Sequence, residues 1–371
     1  MAWSSLTAGM LFLLLVTTAA LTLKHSAAAT DGAGNSGLAR PDCTAMCGNI
    51  SIPYPFGLAD SPQGCFLEGF RVYCSEHVLY LADDKSLKVL EFNLSRGEVR
   101  VQKHIASRCD DETTHHLGNF WINRHNLFAV STLNSFTAIG CATIGKIHGM
   151  NQNHQEYTSL CGSFCSRDSI QNRTNCTGMG CCQIPIPPNL RSMKFSFDID
   201  DSVDIDYSAV RRFNPCSYAF VAEADWFKFN SSYITTREFR SQYGPDARGV
   251  PMVVDWAVGS GACSDVAKMK SSYACRDVHS KCIEASNGLG YRCICGEGYD
   301  GNPYLDEGCR DIDECVSPLT YPCYGVCNNT KGSYTCSCPQ GTTGDPKKAN
   351  CTEAPDPKQP EPKLAIDKEL G

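Results

Sequence analysis

The stretch that decides the fold is DIDECVSPLTYPCYGVCNNTKGSYTCSC, residues 311–338. It places acidic side chains directly before its first cysteine and amide side chains directly after its third. Ca²⁺ is a hard cation that takes several oxygen ligands, among them carboxylates, amide oxygens and backbone carbonyls. The predicted ligands are the side chains of Asp311, Glu314 and Asn329 and the backbone carbonyls near Ile312, Thr330 and Ser333. An ordinary acidic linker without bound metal is the alternative interpretation.

The six cysteines from Cys315 to Cys351 follow the spacing C-x7-C-x3-C-x8-C-x-C-x12-C. Together with the acidic run, this spacing resembles a calcium-binding EGF module. In that family the first cysteine pairs with the third, the second with the fourth and the fifth with the sixth. The resemblance therefore implies the bridges Cys315–Cys327, Cys323–Cys336 and Cys338–Cys351.

A second set of six cysteines, between Cys263 and Cys309, resembles an EGF module without the calcium pattern. The segment before it supplies one acid at most, and Glu284 stands where Asn or Asp is wanted. The resemblance implies the bridges Cys263–Cys282, Cys275–Cys293 and Cys295–Cys309. Because calcium would stiffen the short joint between the modules, we expect the pair to form a short rod.

Composition indicates the compartment and excludes one class of partner. The chain has 371 residues and 24 cysteines, a density typical of disulfide frameworks formed in an oxidising environment. A chain of this length is expected to form two or three domains. The formal net charge of −7 argues against a nucleic-acid-binding protein.

The amino terminus predicts secretion. Residues 6–23 are apolar and uncharged, and small residues follow at 27–29, which is typical of a secretory signal peptide over residues 1–29. An uncleaved anchor remains the alternative, since no Lys or Arg precedes the apolar run. After Thr30 no apolar run approaches the roughly 20 residues that a membrane helix needs.

Seven N-x-S/T sequons indicate a glycosylated surface. Asn175 and Asn350 each precede a cysteine, so we expect those two to be poorly used. The five predicted glycosylation sites are Asn49, Asn93, Asn172, Asn230 and Asn328.

Residues 43–256 predict a cysteine-rich β domain. The segment holds 12 cysteines and short alternating apolar runs broken by Gly, Pro and Asn. A hairpin is expected from Ser86–Leu94 and Glu98–Ile105, and helices from Glu223–Phe229 and Thr235–Tyr243.

The predicted fold class is mostly β and disulfide-rich: the cysteine-rich β domain at 43–256, then EGF-like modules at 263–309 and 311–351. Residues 352–371 form a Pro-rich, charged tail, and the pairing of the first 12 cysteines stays open.

Long motifs link the chain to a known family. They are CGNISIPYPFG at 47–57, GCFLEGFRVYC at 64–74, CTGMGCCQIPIP at 176–187 and CGEGYDGNPYLDEGCRDIDEC at 295–315. This series resembles the extracellular region of plant wall-associated receptor kinases, in which a galacturonan-binding domain precedes two EGF modules. Family members continue into a membrane helix and a kinase. This sequence has no Gly-rich phosphate loop, HRD-type loop or DFG motif, so we carry over no kinase activity. A kinase-less relative and a truncated product both remain open.

The resemblance implies binding of pectin and its oligogalacturonides, with a membrane-bound receptor kinase as a possible second partner. Polymer carboxylates favour Arg and Lys, and Arg binds them bidentately. The candidates are the basic residues of the hairpin region, Lys85, Lys88, Arg96, Arg100, Lys103 and Arg108. Solvation of exposed strand faces is the alternative role for these charges. Lesser candidates are Arg211-Arg212 and the pair Arg191 and Lys194.

Other metal-binding or catalytic patterns are weak. The acidic run from Asp198 to Asp206 lacks the Gly and terminal Glu of an EF-hand loop, and we favour a solvated edge. For a metal site at His115-His116, no cysteine or carboxylate stands at ligand spacing that is not more plausibly assigned to another role. The sequence contains no G-x-S-x-G or H-E-x-x-H motif, and every cysteine can be paired, so no catalytic residue is predicted and the protein is not expected to be an enzyme.

The sequence therefore predicts a secreted module of the apoplast and cell wall that binds pectin and Ca²⁺ and senses or tethers the wall. Membrane association is expected only if the chain is a truncated receptor. The alternative is a secreted structural or decoy protein that acts through EGF-mediated protein contacts.

Overall fold

A computed structural model describes residues 37–354 except 111–117, 122–126, 152, 199–206, 246, 269–272, 286–287 and 289. The expected signal peptide, His115-His116, most of the acidic run and most of the tail lie outside the described residues. The described part is mostly strands, with few helices and 12 disulfides, which confirms the predicted fold class.

The first domain contains 17 described strands and three short helices. The strands are β1 (Met46–Cys47), β2 (Ile50–Ser51), β3 (Gly57–Leu58), β4 (Arg71–Ser75), β5 (Val78–Tyr80), β6 (Lys88–Asn93), β7 (Glu98–Lys103), β8 (Ala106–Cys109), β9 (Gly118–Trp121), β10 (Phe128–Val130), β11 (Asn134–Ile139), β12 (Thr143–Asn151), β13 (Glu156–Ser163), β14 (Cys181–Pro185), β15 (Leu190–Asp198), β16 (Cys216–Glu223) and β17 (Val250–Trp256). The helices are α1 (Tyr207–Arg211), α2 (Ser232–Thr235) and α3 (Glu238–Tyr243).

The two EGF regions are built from short hairpins. The first holds α4 (Cys263–Val266), β18 (Ser280–Glu284), β19 (Tyr291–Cys295), β20 (Tyr299–Gly301) and β21 (Cys309–Asp311). The second holds a 3-10 helix (Glu314–Val316), β22 (Val326–Thr330), β23 (Ser333–Ser337), β24 (Thr342–Thr343) and β25 (Thr352–Glu353).

Two sheets organise the first domain. The larger has the strand order β13-β12-β15-β10-β17-β7-β6-β5-β4-β3, with β9 also paired to β15. The smaller has the order β14-β11-β16-β8. Pairing is antiparallel throughout except between β3 and β4, as expected for a chain of short hairpins and loops.

The predicted hairpin is present as β6 and β7. Asn93 pairs with Glu98, and the side chain of Asn93 accepts a hydrogen bond from the backbone N–H of Arg96 at 3.0 Å. Gly97 closes the turn with a φ of +67°. A Cβ at this position would lie 2.2 Å from Cδ of Arg292, so both the backbone conformation and the packing require glycine.

The prediction of a helix at Glu223–Phe229 is wrong. Strand β16 continues to Glu223, and Phe227 and Phe229, two residues apart, are both buried. That spacing is typical of extended chain, not of a helix face. The second expected helix is interrupted, because Thr236, between α2 and α3, has extended backbone with φ −128° and ψ 172°.

The core of the larger sheet centres on Trp256, which is fully buried. Its ring lies 5.3 Å from Phe56 and 5.5 Å from Phe70, both edge-on, and 5.8 Å from Tyr304. Edge-to-face aromatic pairs at these separations add stabilisation beyond the burial of apolar area.

Disulfides pin the loops of both sheets. The EGF regions contain the six bridges that the family resemblance implies. Sequence spacing left the pairing of the first domain open. The structure pairs Cys43–Cys65, Cys47–Cys74, Cys109–Cys216, Cys141–Cys165, Cys161–Cys182 and Cys176–Cys181.

The first EGF module shares its core with the β domain. Tyr291, Cys293 and Tyr304 belong to the same buried cluster as Trp256. The fully buried Asn302 donates hydrogen bonds from Nδ2 to the carbonyls of Leu38 at 2.6 Å and Tyr54 at 2.7 Å. The expected boundary at residue 256 therefore does not separate two hydrophobic cores. The first EGF module packs against the β domain instead of extending away from it.

Replacing Asn302 with Ala tests this docking. The variant leaves two carbonyls without their buried donor, and each unsatisfied buried polar group costs about 1–3 kcal/mol. We expect the free energy of unfolding, measured by denaturant titration with disulfides intact, to fall by about 3 kcal/mol. The exposed Asn153→Ala supplies the control and should change stability by less than about 0.5 kcal/mol. Equal stability of the two variants would contradict the docking role of the Asn302 amide.

Candidate calcium and polysaccharide sites

The predicted calcium ligands converge at the start of the second EGF region. Asp311 ends β21, Glu314 begins the 3-10 helix, and Asn329 lies in β22. Asn329 Nδ2 donates a hydrogen bond to the Asp311 carboxylate at 2.9 Å, and the backbone N–H of Gly332 donates to the same carboxylate. The structure thus brings together side chains that are 18 residues apart in the sequence.

The backbone positions of the predicted site lie in the same hairpin. Thr330 in β22 pairs with Ser333 in β23, and Thr330 Oγ1 donates a hydrogen bond to the Ser333 carbonyl at 2.7 Å. Ile312 follows β21, and its backbone N–H donates to the Gly298 carbonyl at 2.9 Å. The carbonyl of Ile312 is the predicted ligand. Both ends of the calcium segment are therefore positioned by backbone pairing.

The buried carboxylate of Glu314 fits a cation ligand. Its side chain is only 3% exposed, and Oε2 has no hydrogen-bond partner in the structure. A buried carboxylate oxygen without a partner is costly unless a cation or donor compensates it. Asp313, by contrast, caps the 3-10 helix by accepting from the Cys315 N–H at 3.1 Å.

The donor set fits Ca²⁺ better than a transition metal. Within the described ranges no group of three or more His, Cys, Asp or Glu side chains could hold a metal ion. A calcium shell does not require one, because amide and backbone carbonyl oxygens can complete the coordination. Asp311, Glu314 and Asn329 with the neighbouring carbonyls match that hard-oxygen chemistry.

The joint between the two EGF regions packs an aromatic ring on glycine. A Cβ on Gly332 would lie 3.0 Å from Cε2 of Tyr299. The His279 ring stacks on the same Tyr299 ring, with the two centroids 4.1 Å apart. The joint therefore lies next to the predicted calcium ligands, since Tyr299 pairs with Asp311 in the β20–β21 ladder.

The basic residues predicted for polysaccharide binding do not form one surface. Lys103 lies on the face of β7 that also buries Val99 and Val101, and it is 9% exposed. Burial lowers the pKa of the Lys103 ammonium. Arg100, on the opposite face, forms an ion pair with Glu223, with Nη2 and Oε2 3.1 Å apart. Its hydrogen bond to Glu223 raises the pKa of Arg100.

The other four are dispersed. Arg96 pairs with Glu98 at 3.7 Å, and the guanidinium of Arg108 stacks over the ring of Phe197 at 5.6 Å. Lys85 donates to Ser75 Oγ at 2.9 Å, while Lys88 is exposed at the far end of β6. Strand alternation explains part of the dispersal, because Arg100 and Lys103, three residues apart in β7, point to opposite faces of the sheet.

The lesser basic candidates are also separated from one another. Arg211 pairs with Asp110 at 3.4 Å. Desolvation lowers the pKa of Arg191, which lies in β15 where its register with β12 shifts. Lys194 is exposed and pairs across the sheet with His148.

The predicted glycosylation sites lie at the surface. Asn49, Asn172, Asn230 and Asn328 are exposed, and Asn93 is half-buried. Asn49 and Asn93 line the same cleft of about 450 Å³, next to β2 and β6. Glycans at these two positions would cover that cleft and keep a polymer from entering it.

Comparison with known proteins agrees with this architecture. Residues 43–103 match the family described as wall-associated receptor kinase galacturonan-binding, and residues 311–351 match the calcium-binding EGF domain. Wall-associated receptor kinase 2 from Arabidopsis thaliana is 33% identical over 326 residues, which is 83% of this chain and 40% of the relative. Wall-associated receptor kinase 5 from the same plant is 32% identical over 85% of this chain and 41% of the relative.

The chain thus spans about two fifths of the length of the curated relatives it matches. No solved structure matches the chain. The matched region holds the galacturonan-binding family domain and the calcium-binding EGF domain, in the order found along this sequence. The chain therefore resembles the extracellular part of the wall-associated receptor kinase family, in both its galacturonan-binding and its calcium-binding EGF segments.

Proposed function

We propose that the protein binds de-esterified pectin and Ca²⁺ outside the cell, as a module that senses or tethers the cell wall. The observation that carries the proposal is the match of residues 43–103 to the galacturonan-binding family. This segment includes β1 to β7 and the disulfides Cys43–Cys65 and Cys47–Cys74, and its strands β3 to β7 belong to the larger sheet. Pectin and its oligogalacturonides are the proposed partners, with a receptor kinase as a second.

An apoplastic location is part of the proposal. All 24 cysteines are paired in 12 disulfides, which is typical of proteins folded in an oxidising compartment. Among the described residues, no helix has the length and apolar character needed to cross a membrane.

Calcium binding is proposed at Asp311, Glu314 and Asn329, with carbonyls of Ile312, Thr330 and Ser333. When bound, Ca²⁺ supplies positive charge that neutralises the two carboxylates and fixes the joint between the EGF regions. Asp311 and Asn329 already hold one another by a hydrogen bond, so the protein presents these ligands without large rearrangement.

Replacing Glu314 with Gln tests the site. The change keeps the shape of the side chain but removes its charge, and ligand charge is one of the factors that set calcium affinity. We expect the dissociation constant, measured by calorimetry, to rise about tenfold or more. Calcium should also raise the melting temperature of the parent protein more than that of the variant. Asp345→Asn, on the same module but outside the site, should leave calcium affinity unchanged; equal affinities for all three proteins would reject the assignment.

The pectin proposal is tested by titrating the purified protein with short galacturonate oligomers. De-esterified oligomers should bind saturably, and fully methyl-esterified oligomers of the same length should bind far more weakly, because esterification removes the charge that Arg recognises. Equal binding of both forms would point to recognition of the sugar backbone alone. No binding of either by folded protein would reject the proposed function.

Protein binding through the second EGF region is a second candidate function. Val316, Leu319, Tyr324 and Val326 expose between 53% and 100% of their surfaces, an apolar set on a small module. Contiguous exposed apolar side chains often mark interaction sites. Failure of the folded protein to bind oligogalacturonate would favour this candidate over the first.

A further inference from the structure

A cleft lies where the first EGF module docks onto the β domain. It has a volume of about 870 Å³, in the range of sites that hold small ligands. One wall is the segment 37–45 with residues 62–65, and the other is the EGF segment 305–310. Sequence spacing does not predict this cleft, because its walls come from segments at least 240 residues apart.

Arg40 is fixed on the β-domain wall. Its Nη1 donates to the Gly64 carbonyl at 2.9 Å, and its guanidinium lies 4.8 Å from the centre of the Tyr54 ring. A Cβ on Gly64 would lie 3.5 Å from Nη1 of Arg40, an ordinary van der Waals distance, so the guanidinium packs next to this glycine. The contacts use only part of the five N–H donors of Arg40, which leaves donors for a ligand.

Arg310 lies on the EGF wall. Its side chain is exposed and forms no ion pair or hydrogen bond within the described part of the chain. A Cβ on Gly37 would lie 3.0 Å from Nη2 of Arg310, so the guanidinium rests against backbone that carries no side chain. The two arginines therefore face one cleft from different structural units.

The two walls are held together by the buried Asn302 amide. Asn302 donates to Leu38 and Tyr54 on the β-domain side, and its own N–H donates to the Gly308 carbonyl at 2.8 Å. Because these bonds join both walls beneath the cleft, the spacing of the arginines is set by the fold. A preformed site of this kind reduces the ordering cost of binding.

The charges of the cleft select the ligand. Arg40 and Arg310 are accompanied by three acidic residues, Asp42, Asp306 and Glu307. A densely charged polyanion would be repelled by these carboxylates. A uronic-acid sugar combines a carboxylate, which guanidinium groups bind bidentately, with hydroxyl groups that donate hydrogen bonds to Asp and Glu.

We propose that this cleft binds a short run of an acidic, uronate-containing polysaccharide, with Arg40 and Arg310 on its carboxylates. This inference rests on the proposed pectin function and assigns it a site that includes the first EGF module. Residues 85–108 are less suited, because Lys103 is buried and Arg100 is paired with Glu223. Galacturonan recognition is then shared between the β domain and the EGF module docked on it.

Arg310→Gln is the primary test, because Arg310 is exposed and the change should leave the fold intact. Hydrogen bonds to charged groups contribute enough that we expect affinity for a de-esterified galacturonate oligomer to fall about tenfold or more. Lys281→Gln removes the same charge from an exposed position of the same module outside the cleft, and it should bind like the parent. Gly37→Val keeps all charges but places a side chain against Arg310, and it should also weaken binding.

Calorimetry on the four full-length proteins separates the outcomes. Weakened binding by Arg310→Gln and Gly37→Val, with normal binding by Lys281→Gln, supports the cleft. If the parent binds and Arg310→Gln binds as tightly as Lys281→Gln, the cleft assignment is overturned while the pectin function stands. If the folded parent does not bind, the proposed function fails and the cleft assignment falls with it. Unchanged melting temperatures and calcium affinity in each variant establish that folding is intact.

Discussion

The Tyr304→Ala variant is expected to be less stable than the parent protein by about 4 kcal/mol, since truncating a large buried aromatic ring costs about 3–5 kcal/mol. Tyr304 is fully buried, lies 5.8 Å from Trp256, and its hydroxyl accepts the Cys293 N–H at 2.9 Å. The ring belongs to the EGF module but fills the core of the β domain. Its loss therefore leaves a cavity at the centre of the docked unit.

The measurement is denaturant unfolding with the disulfides intact, followed by Trp fluorescence. Tyr304→Phe keeps the ring and removes only the hydroxyl, so it should cost about 1–2 kcal/mol. If both variants unfold like the parent protein, the EGF module does not contribute to the core and the docked arrangement is contradicted. A separate early transition in the parent would contradict it as well.

Asp255 should give the fold a marked pH dependence. It lies in β17 directly opposite Glu98 in β7. Burial raises the pKa of the Asp255 carboxyl to about 6, the neighbouring Glu98 adds to the shift, and Ser131 and Arg292 oppose it. The folded protein therefore retains the Asp255 proton at pH values where the unfolded chain, with an ordinary pKa near 3.8, has lost it.

The sign follows from proton linkage. A raised carboxyl pKa means that the folded state binds more protons between pH 4 and 6, so stability falls as pH rises through that window. The shift corresponds to a loss of up to about 3 kcal/mol by pH 7. Asp255→Asn mimics the neutral acid, so it should match the parent near pH 4 and exceed its stability by up to about 3 kcal/mol at pH 7.

Unfolding free energies at pH 4, 5, 6 and 7 check this expectation. Asp60 is exposed, and Asp60→Asn provides a control that removes the same charge from a solvated position. A difference between Asp255→Asn and the parent that stays constant with pH would show that Asp255 does not carry the linkage.

The sequence predicted local features well where a few neighbouring residues determine them. The β6–β7 hairpin follows from alternating apolar residues around a turn that ends in Gly97. The helix prediction for Glu223–Phe229 is wrong because Phe227 and Phe229 are buried in the core that packs against the smaller sheet. This burial outweighs local helix propensity. The docking of Tyr304 and Asn302 was not predictable, because their partners lie in distant segments and spacing says nothing about such contacts.

The candidate sites also differ in how far the sequence predicts them, depending on whether their residues are close together in the chain. The proposed calcium ligands lie within 23 residues, from Asp311 to Ser333, and one hairpin places Asn329, Thr330 and Ser333 close together, so motif spacing is enough to propose them. The basic residues predicted to bind polysaccharide form a run in the sequence. In the structure, strand alternation places Arg100 and Lys103 on opposite faces, and Arg100 is paired with Glu223. Arg310 lies within the motif at 295–315, but Arg40 lies outside the quoted motifs, and only the fold brings the two arginines to one cleft.

The central claim, binding of pectin through its carboxylates, is tested most directly by calorimetric titration of the calcium-loaded protein with a short de-esterified galacturonate oligomer at two salt concentrations. The account predicts saturable binding that weakens as ionic strength rises, because added salt screens the attraction between guanidinium and carboxylate. Binding that is absent at both salt concentrations, in protein shown to be folded by its melting transition, would contradict the account.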